Sequence, residues 1–165
     1  MLDEIKKCFP PSVNASCTKL ILGSMPGDES LRCARYYAHP RNAFWPLMAD
    51  LFDFQVDTPY ETRLRYLLDV GIALWDTVAS GARPGSLDSN IDVIEPNDFT
   101  VFLGKYPRIK TIFFNGKTAY NFFVKYNPDL SRGTPRLIVL PSTSPACAML
   151  DFAAKRQKWQ IITSS

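Results

Sequence analysis

The sequence predicts an α/β fold in which a mainly parallel sheet is covered by helices on both faces. Three observations lead there. Residues 19–22, 70–75, 109–114 and 136–140 are short apolar runs rich in β-branched and aliphatic residues, the pattern of buried strands. Segments of helical periodicity alternate with them, as a layered α/β architecture requires. No repeat, low-complexity tract or linker interrupts the 165 residues, which form a single domain, 1–165, long enough to bury a full core. In such sheets the ligand crevice lies at the carboxyl ends of the strands.

Taken in order, residues 2–9 carry a short helical pattern stopped by Pro10 and Pro11, and a polar connector reaches Ser16. The first strand, 19–22, closes on Gly23-Ser24-Met25-Pro26-Gly27. The two glycines let backbone approach a ligand, and Pro26 stiffens the loop, so the remaining N–H groups face one way, as an anionic or carbonyl-bearing guest requires. The same five residues also suit a plain strand-to-helix turn. Tyr36, Tyr37, His39, Arg41 and Asn42 then crowd two rings, an imidazole, a guanidinium and a carboxamide into seven residues. An apolar helix, 44–52, starts just beyond, so Asn42 stands where its side chain either caps a helix or serves a ligand. Phe44 and Trp45 suit the core.

Helix 59–68 follows, with Pro59 in its first turn and Leu64, Leu67 and Leu68 on one face. Strand 70–75 ends at Asp76, which either caps what comes next or faces the crevice. Residues 80–90 form a Gly/Pro/Ser loop that a compact domain keeps only if it is tethered or functional. Helix 97–106 is entered through Pro96 and Asn97, and strand 109–114 closes on Asn115-Gly116-Lys117, where Lys117 reaches a phosphate or is simply solvated. Helix 119–126 and strand 136–140 lead to Leu140-Pro141-Ser142-Thr143-Ser144-Pro145-Ala146. A closing helix, 146–159, spaces Met149, Phe152, Ala153 and Arg156 helically.

A formal charge of +3 and a pI near 8.7 permit a polyanionic partner without demanding one. With no signal pattern and no apolar run of membrane length, the expectation is a cytoplasmic protein without a membrane partner. Cys8, Cys17, Cys33 and Cys147 contain no CxxC pair, so free thiols are expected and no metal.

The segments GSMPG (23–27) and YYAHPRNAFW (36–45) resemble the first motif of the uracil-DNA glycosylase superfamily, most closely its hypoxanthine-DNA glycosylase branch. LPSTSPA (140–146) looks like the second motif, the loop that presses into DNA. Mismatch-specific uracil glycosylases share the loop, the HP pair and NxFW, but carry a water-positioning asparagine in the loop where this chain has Met25. In the hypoxanthine branch that role falls to the asparagine of HPRN, here Asn42. GSLDS (85–89) also recurs in that branch.

The resemblance implies a three-layer α/β/α fold around a four-stranded sheet and a monofunctional DNA glycosylase that releases hypoxanthine from deoxyinosine. Excision of uracil or mismatched thymine, or a non-catalytic DNA- or nucleotide-binding module of the same fold, are its rivals. Under this reading Asn42 orients water, with His39 near the departing base. Gly23, Ser24, Met25, Pro26 and Gly27 line the base pocket. Tyr37 stacks on the base, and Asp76 occupies the position of a base-reading asparagine. Arg41, Lys117, Ser142, Thr143, Ser144, Pro145 and Ala146 engage DNA, the last five as phosphate contacts and a small wedge. Neither motif holds a lysine for a Schiff base, and no cofactor is implied. The enzyme is expected to act as a monomer.

Overall fold

The computed structural model describes residues 5–83 and 91–164. Its centre is a four-stranded parallel sheet of β2 (Lys19–Gly23), β3 (Ile72–Asp76), β6 (Thr111–Asn115) and β7 (Arg136–Leu140), in the order β3-β2-β6-β7. Because side chains alternate along a strand, each strand feeds two cores. Ile21, Ile72, Leu74 and Phe113 face one cluster, with Phe44, Leu47 and Met48 of α2 (Phe44–Phe52), Leu67 of α3 (Tyr60–Asp69) and Trp159 of α6 (Phe152–Trp159). Leu20, Leu22, Ala73, Ile112 and Phe114 face the other, with Phe99 and Phe102 of α4 (Phe99–Lys105) and Ala119 and Phe123 of α5 (Lys117–Tyr126). This is a three-layer α/β/α arrangement.

Register aligns the carboxyl ends of the strands. Gly23 pairs with Asp76, Leu22 with Phe114, and Asn115 with Leu140, so the segments after β2, β3, β6 and β7 leave from one edge.

Several sequence expectations are corrected. Residues 5–7 are not helical but form β1 (Ile5–Lys7), paired antiparallel with β4 (Val78–Ala82). A helix closed off so soon by Pro10 and Pro11 does not repay its nucleation cost, whereas an edge strand is completed by its partner. Together with β5 (Asp92–Pro96), these strands make a second, antiparallel sheet in the order β1-β4-β5. Gly and Ser in β4 hid it from a pattern reading. Residues 84–90, which hold most of the expected Gly/Pro/Ser loop and its GSLDS segment, lie outside the described residues.

The closing helix starts at Phe152 rather than Ala146, because the Asp151 carboxylate accepts from Ala154 N at 2.9 Å and sets the cap there. Asp98 likewise accepts from Val101 N at 3.1 Å and starts α4. A six-residue helix, α1 (Asp28–Cys33), fills the space between the glycine loop and Tyr36 and ends on Ala34 at φ 54°. Among the described residues, no helix is long and apolar enough to cross a membrane.

Candidate active site

A cleft of about 380 Å³ opens at the carboxyl edge of the parallel sheet. Its first wall is the loop after β2. Every carbonyl of that loop is claimed from the scaffold side. Gly23 O accepts from Thr77 N at 2.9 Å, Ser24 O from Val78 N at 3.0 Å, and Gly27 O from Leu31 N at 3.0 Å. A single guanidinium nitrogen of Arg83 donates to Pro26 O at 2.6 Å and reaches Met25 O at 3.5 Å. Met25 is buried, with its sulfur packed near Gly81 of β4, and the residue lines the cleft. With the carbonyls anchored, the amides are what the loop presents to a guest. Arg83 is 1 % exposed and lines the cleft. Its carbonyl accepts from Lys6, whose ammonium also pairs with Asp28 at 2.6 Å, so the small second sheet braces the loop.

Asp76 forms the floor at 4 % exposure. It abuts Gly23 so closely that a Cβ there would sit 2.6 Å from its Oδ1 and 3.2 Å from the Tyr37 hydroxyl. Glycine is therefore required at position 23 by contact rather than by dihedral angle. Asn97 Nδ2 donates to the Asp76 carbonyl at 2.7 Å and fixes the strand end.

The opposite wall is residues 36–42. Tyr37 adopts φ 56° and lies on Phe44, centroids 4.0 Å apart at 29°, and Phe44 is itself wedged edge-on against Trp45 and Trp159. The platform under Tyr37 is thus rigid core. Burial pushes the Tyr36 phenol far above its ordinary range, with the Asp76 charge adding to the effect, so it stays a neutral donor to Pro10 O at 2.9 Å. His39 Nδ1 accepts from Arg41 N at 3.1 Å, which leaves the proton of the neutral ring on Nε2. Asn42 Oδ1 accepts from Phe44 N at 2.9 Å while the residue lines the cleft. The two roles weighed for Asn42 are therefore compatible: it caps α2 with one lone pair and faces the cleft with the rest of its carboxamide.

The second motif closes the cleft. Thr143 is 1 % exposed, and its polar atoms are engaged inside the protein. Its N–H donates to Asn115 Oδ1 and its hydroxyl accepts from Asn115 Nδ2, both at 2.9 Å, while its carbonyl accepts from Ala43 N at 2.9 Å. Thr143 thus clamps the end of β6 and the start of α2 to the second loop. From α6, Trp159 Nε1 donates to Pro141 O at 2.8 Å and Lys155 Nζ to Cys147 O at 2.9 Å. Ser142, Ser144, Pro145 and Ala146 remain at the rim.

Arg41 and Lys117 are exposed and lie outside the cleft wall. Lys117 follows Gly116, whose Cα packs on Ser142, so it stands beside the second loop.

Sequence reasoning missed Arg83, Asn115, Lys155, Glu29 and Met149. Only Asn115, at a strand end, carried a legible signal. Glu29 lines the cleft, and the hydrogen bond from Arg32 holds its carboxyl below the usual range. Met149 is 94 % exposed three residues past Ala146, an apolar side chain in water outside any helix. Among the described residues, no group of three or more His, Cys, Asp or Glu could hold a metal ion.

The family model described as the uracil DNA glycosylase superfamily matches residues 10–163. A curated protein of Methanosarcina acetivorans named hypoxanthine DNA glycosylase is 39 % identical over 143 residues, covering 86 % of this chain and 88 % of that one. A protein of the same name from Methanosarcina barkeri is 39 % identical over 115 residues, 69 % of this chain and 73 % of its own. Among solved structures, the solution NMR structure of a candidate uracil DNA glycosylase from Methanosarcina acetivorans superposes with a TM-score of 0.81 at 35 % identity, covering 97 % of each chain.

Proposed function

The chain belongs to the uracil DNA glycosylase superfamily, and from that premise we propose that it hydrolyses the N-glycosidic bond of deoxyinosine in DNA, releasing hypoxanthine and leaving an abasic site. The observation that carries the choice of base is Asp76, a carboxylate 4 % exposed on the cleft floor. An ionised carboxylate only accepts, which suits the N1–H of hypoxanthine and rejects adenine, whose N1 is itself an acceptor.

The glycosidic carbon is out of reach in a stacked duplex, so the nucleotide is extruded into the cleft. The base lies on the free face of Tyr37, a contact worth about 1–3 kcal/mol on other aromatic platforms. Ser142 and Ser144 hold backbone phosphates without reading sequence. Met149 is the better wedge for the vacated stack than Pro145 and Ala146, because it is long, apolar and already exposed.

Asn42 accepts a hydrogen bond from the attacking water and holds it toward C1′, acting by position because a carboxamide has no useful basicity. The water oxygen bonds to C1′ and loses a proton to solvent, the C1′–N9 bond breaks with its electron pair on the base, and the base takes up a proton. The N–H groups of Met25 and Gly27 and the buried charge of Arg83 oppose the negative charge that develops on the leaving purine, with His39 Nε2–H as a further donor. We further assign the chain to the cytoplasm as a monomer of one domain.

A panel of labelled oligonucleotides carrying inosine, uracil, xanthine or thymine mismatches tests this reading. Alkali-sensitive cleavage at inosine in excess over the others is expected. Preference for uracil, or no cleavage of any of them, overturns it.

A further inference from the structure

Behind the 36–42 wall lies a second pocket, of about 220 Å³, that the proposed reaction does not use. Arg63 of α3 and Arg35, held at the end of α1 by its own N–H to Ser30 O at 3.0 Å, both project there. Their guanidinium carbons stand 5.6 and 5.4 Å from the centroid of the same ring, Tyr60, and Arg63 also lies 4.7 Å over Trp45. Arg63 Nε donates to Thr58 O at 2.9 Å, which orients the fork and leaves its two terminal nitrogens for something else. No Asp or Glu lines this pocket, and none of the described ion pairs involves either arginine. Burial and the neighbouring Arg35 charge both lower the proton affinity of Arg63.

A partly desolvated guanidinium, Arg63, held beside a second like charge on one aromatic platform with no acidic side chain lining the pocket, is a costly arrangement for a fold to keep. An anion between them removes the cost, and planar forked donors match phosphate oxygens. The pocket shares Tyr37, His39 and Asn42 with the base cleft, so an anion held there is one wall away from the extruded nucleotide. We propose that Arg35 and Arg63 form a phosphodiester-binding site that grips the lesion-bearing strand close to the flipped nucleotide. The proposal rests on the glycosylase reading for its choice of DNA; the shared chemistry is phosphate.

The test is a thermodynamic cycle on a duplex whose single inosine carries a 2′-fluorine, which withdraws charge from C1′ and blocks cleavage. Binding is measured across a salt series for the wild type, Arg35→Gln and Arg63→Gln. Each neutralised phosphate contact contributes about 0.9 to the slope of log K against log[salt], so each variant should lose about that much. Methylphosphonates, which remove one backbone charge, are then placed singly within three nucleotides of the inosine. At one position the substitution should cost the wild type several-fold and the Arg35→Gln protein nothing more.

Because Arg63 covers Trp45 and Tyr60, its variant is judged only beside a melting curve, and exposed Arg35 carries the decision. An unchanged slope, or additive losses at every position, overturns the site. Inorganic phosphate forms a further arm: if it raises the melting temperature of the wild type but not of Arg35→Gln while the DNA slope stays unchanged, the pocket serves a free phosphate and the proposal falls. Wild-type cleavage of ordinary inosine is assayed in parallel, so loss of the glycosylase reading is seen separately from loss of the phosphate site.

Discussion

Replacing Asn42 by alanine removes two things at once, and the structure says how large each is. The Oδ1 acceptor of Phe44 N, 2.9 Å away, is an N-terminal cap of α2, the helix that carries Phe44, Leu47 and Met48 into the core. Loss of such a cap costs about 1 kcal/mol, a fall of about 2–4 °C in Tm for a domain of this size. The carboxamide is also the group we assign to the nucleophilic water. Its removal should slow single-turnover cleavage by about 10²-fold or more, equivalent to about 2.7 kcal/mol of transition-state stabilisation. Asn42→Ser separates the two effects. A serine hydroxyl still caps but is too short to reach the water, so melting should return to near wild type while cleavage stays slow. Thermal unfolding and single-turnover cleavage of an inosine duplex, on the three proteins side by side, read both quantities. If Asn42→Ala loses stability but cuts at the wild-type rate, Asn42 is a cap alone and the mechanism above is wrong.

Gly23→Ala places a methyl 2.6 Å from Asp76 Oδ1, so the carboxylate and Tyr37 must shift; cleavage should fall about 10²-fold, and wild-type kinetics would show that the floor tolerates displacement. Asp76→Asn exchanges a pure acceptor for a group that both accepts and donates, and should move preference toward uracil; unchanged relative rates on inosine, uracil and adenine substrates would remove Asp76 from base reading. Met149→Ala and Ser144→Ala should reduce cleavage of duplex more than of single strands, since both act on extrusion, and equal loss on the two substrates contradicts the wedge. Lys155→Met removes the donor to Cys147 O and should loosen the second loop, weakening duplex binding while leaving melting within a few degrees; unaltered binding would mean that Pro141 and Thr143 suffice as anchors.

Much of the molecule was determined by local pattern. The four buried strands, the helices around 44–52 and 59–68, and the two loops that line the cleft follow from hydrophobic period, glycine and proline placement, and the density of polar groups around His39 and Asn42. These signals are short-range, so a linear chain displays them. What only tertiary structure decided is which groups are spent and which are offered. Thr143 reads as an exposed hydroxyl in a serine-rich loop, yet Asn115, 28 residues earlier, consumes it. Arg83 lies between Ala82 and Pro84 in a segment with no local sign of burial, yet it is 1 % exposed against Met25 O and Pro26 O and supports the loop after β2. Met149 reads as one face of a helix, but the Asp151 cap starts that helix only beyond it and leaves the side chain in water. Antiparallel β1-β4-β5 pairing likewise joins residues 5–7 to 80–82, across a separation that no window along the sequence spans. Hydrogen bonds and contacts between distant segments depend on geometry that side-chain identity alone does not encode, and the division of polar groups between scaffold and ligand is set there.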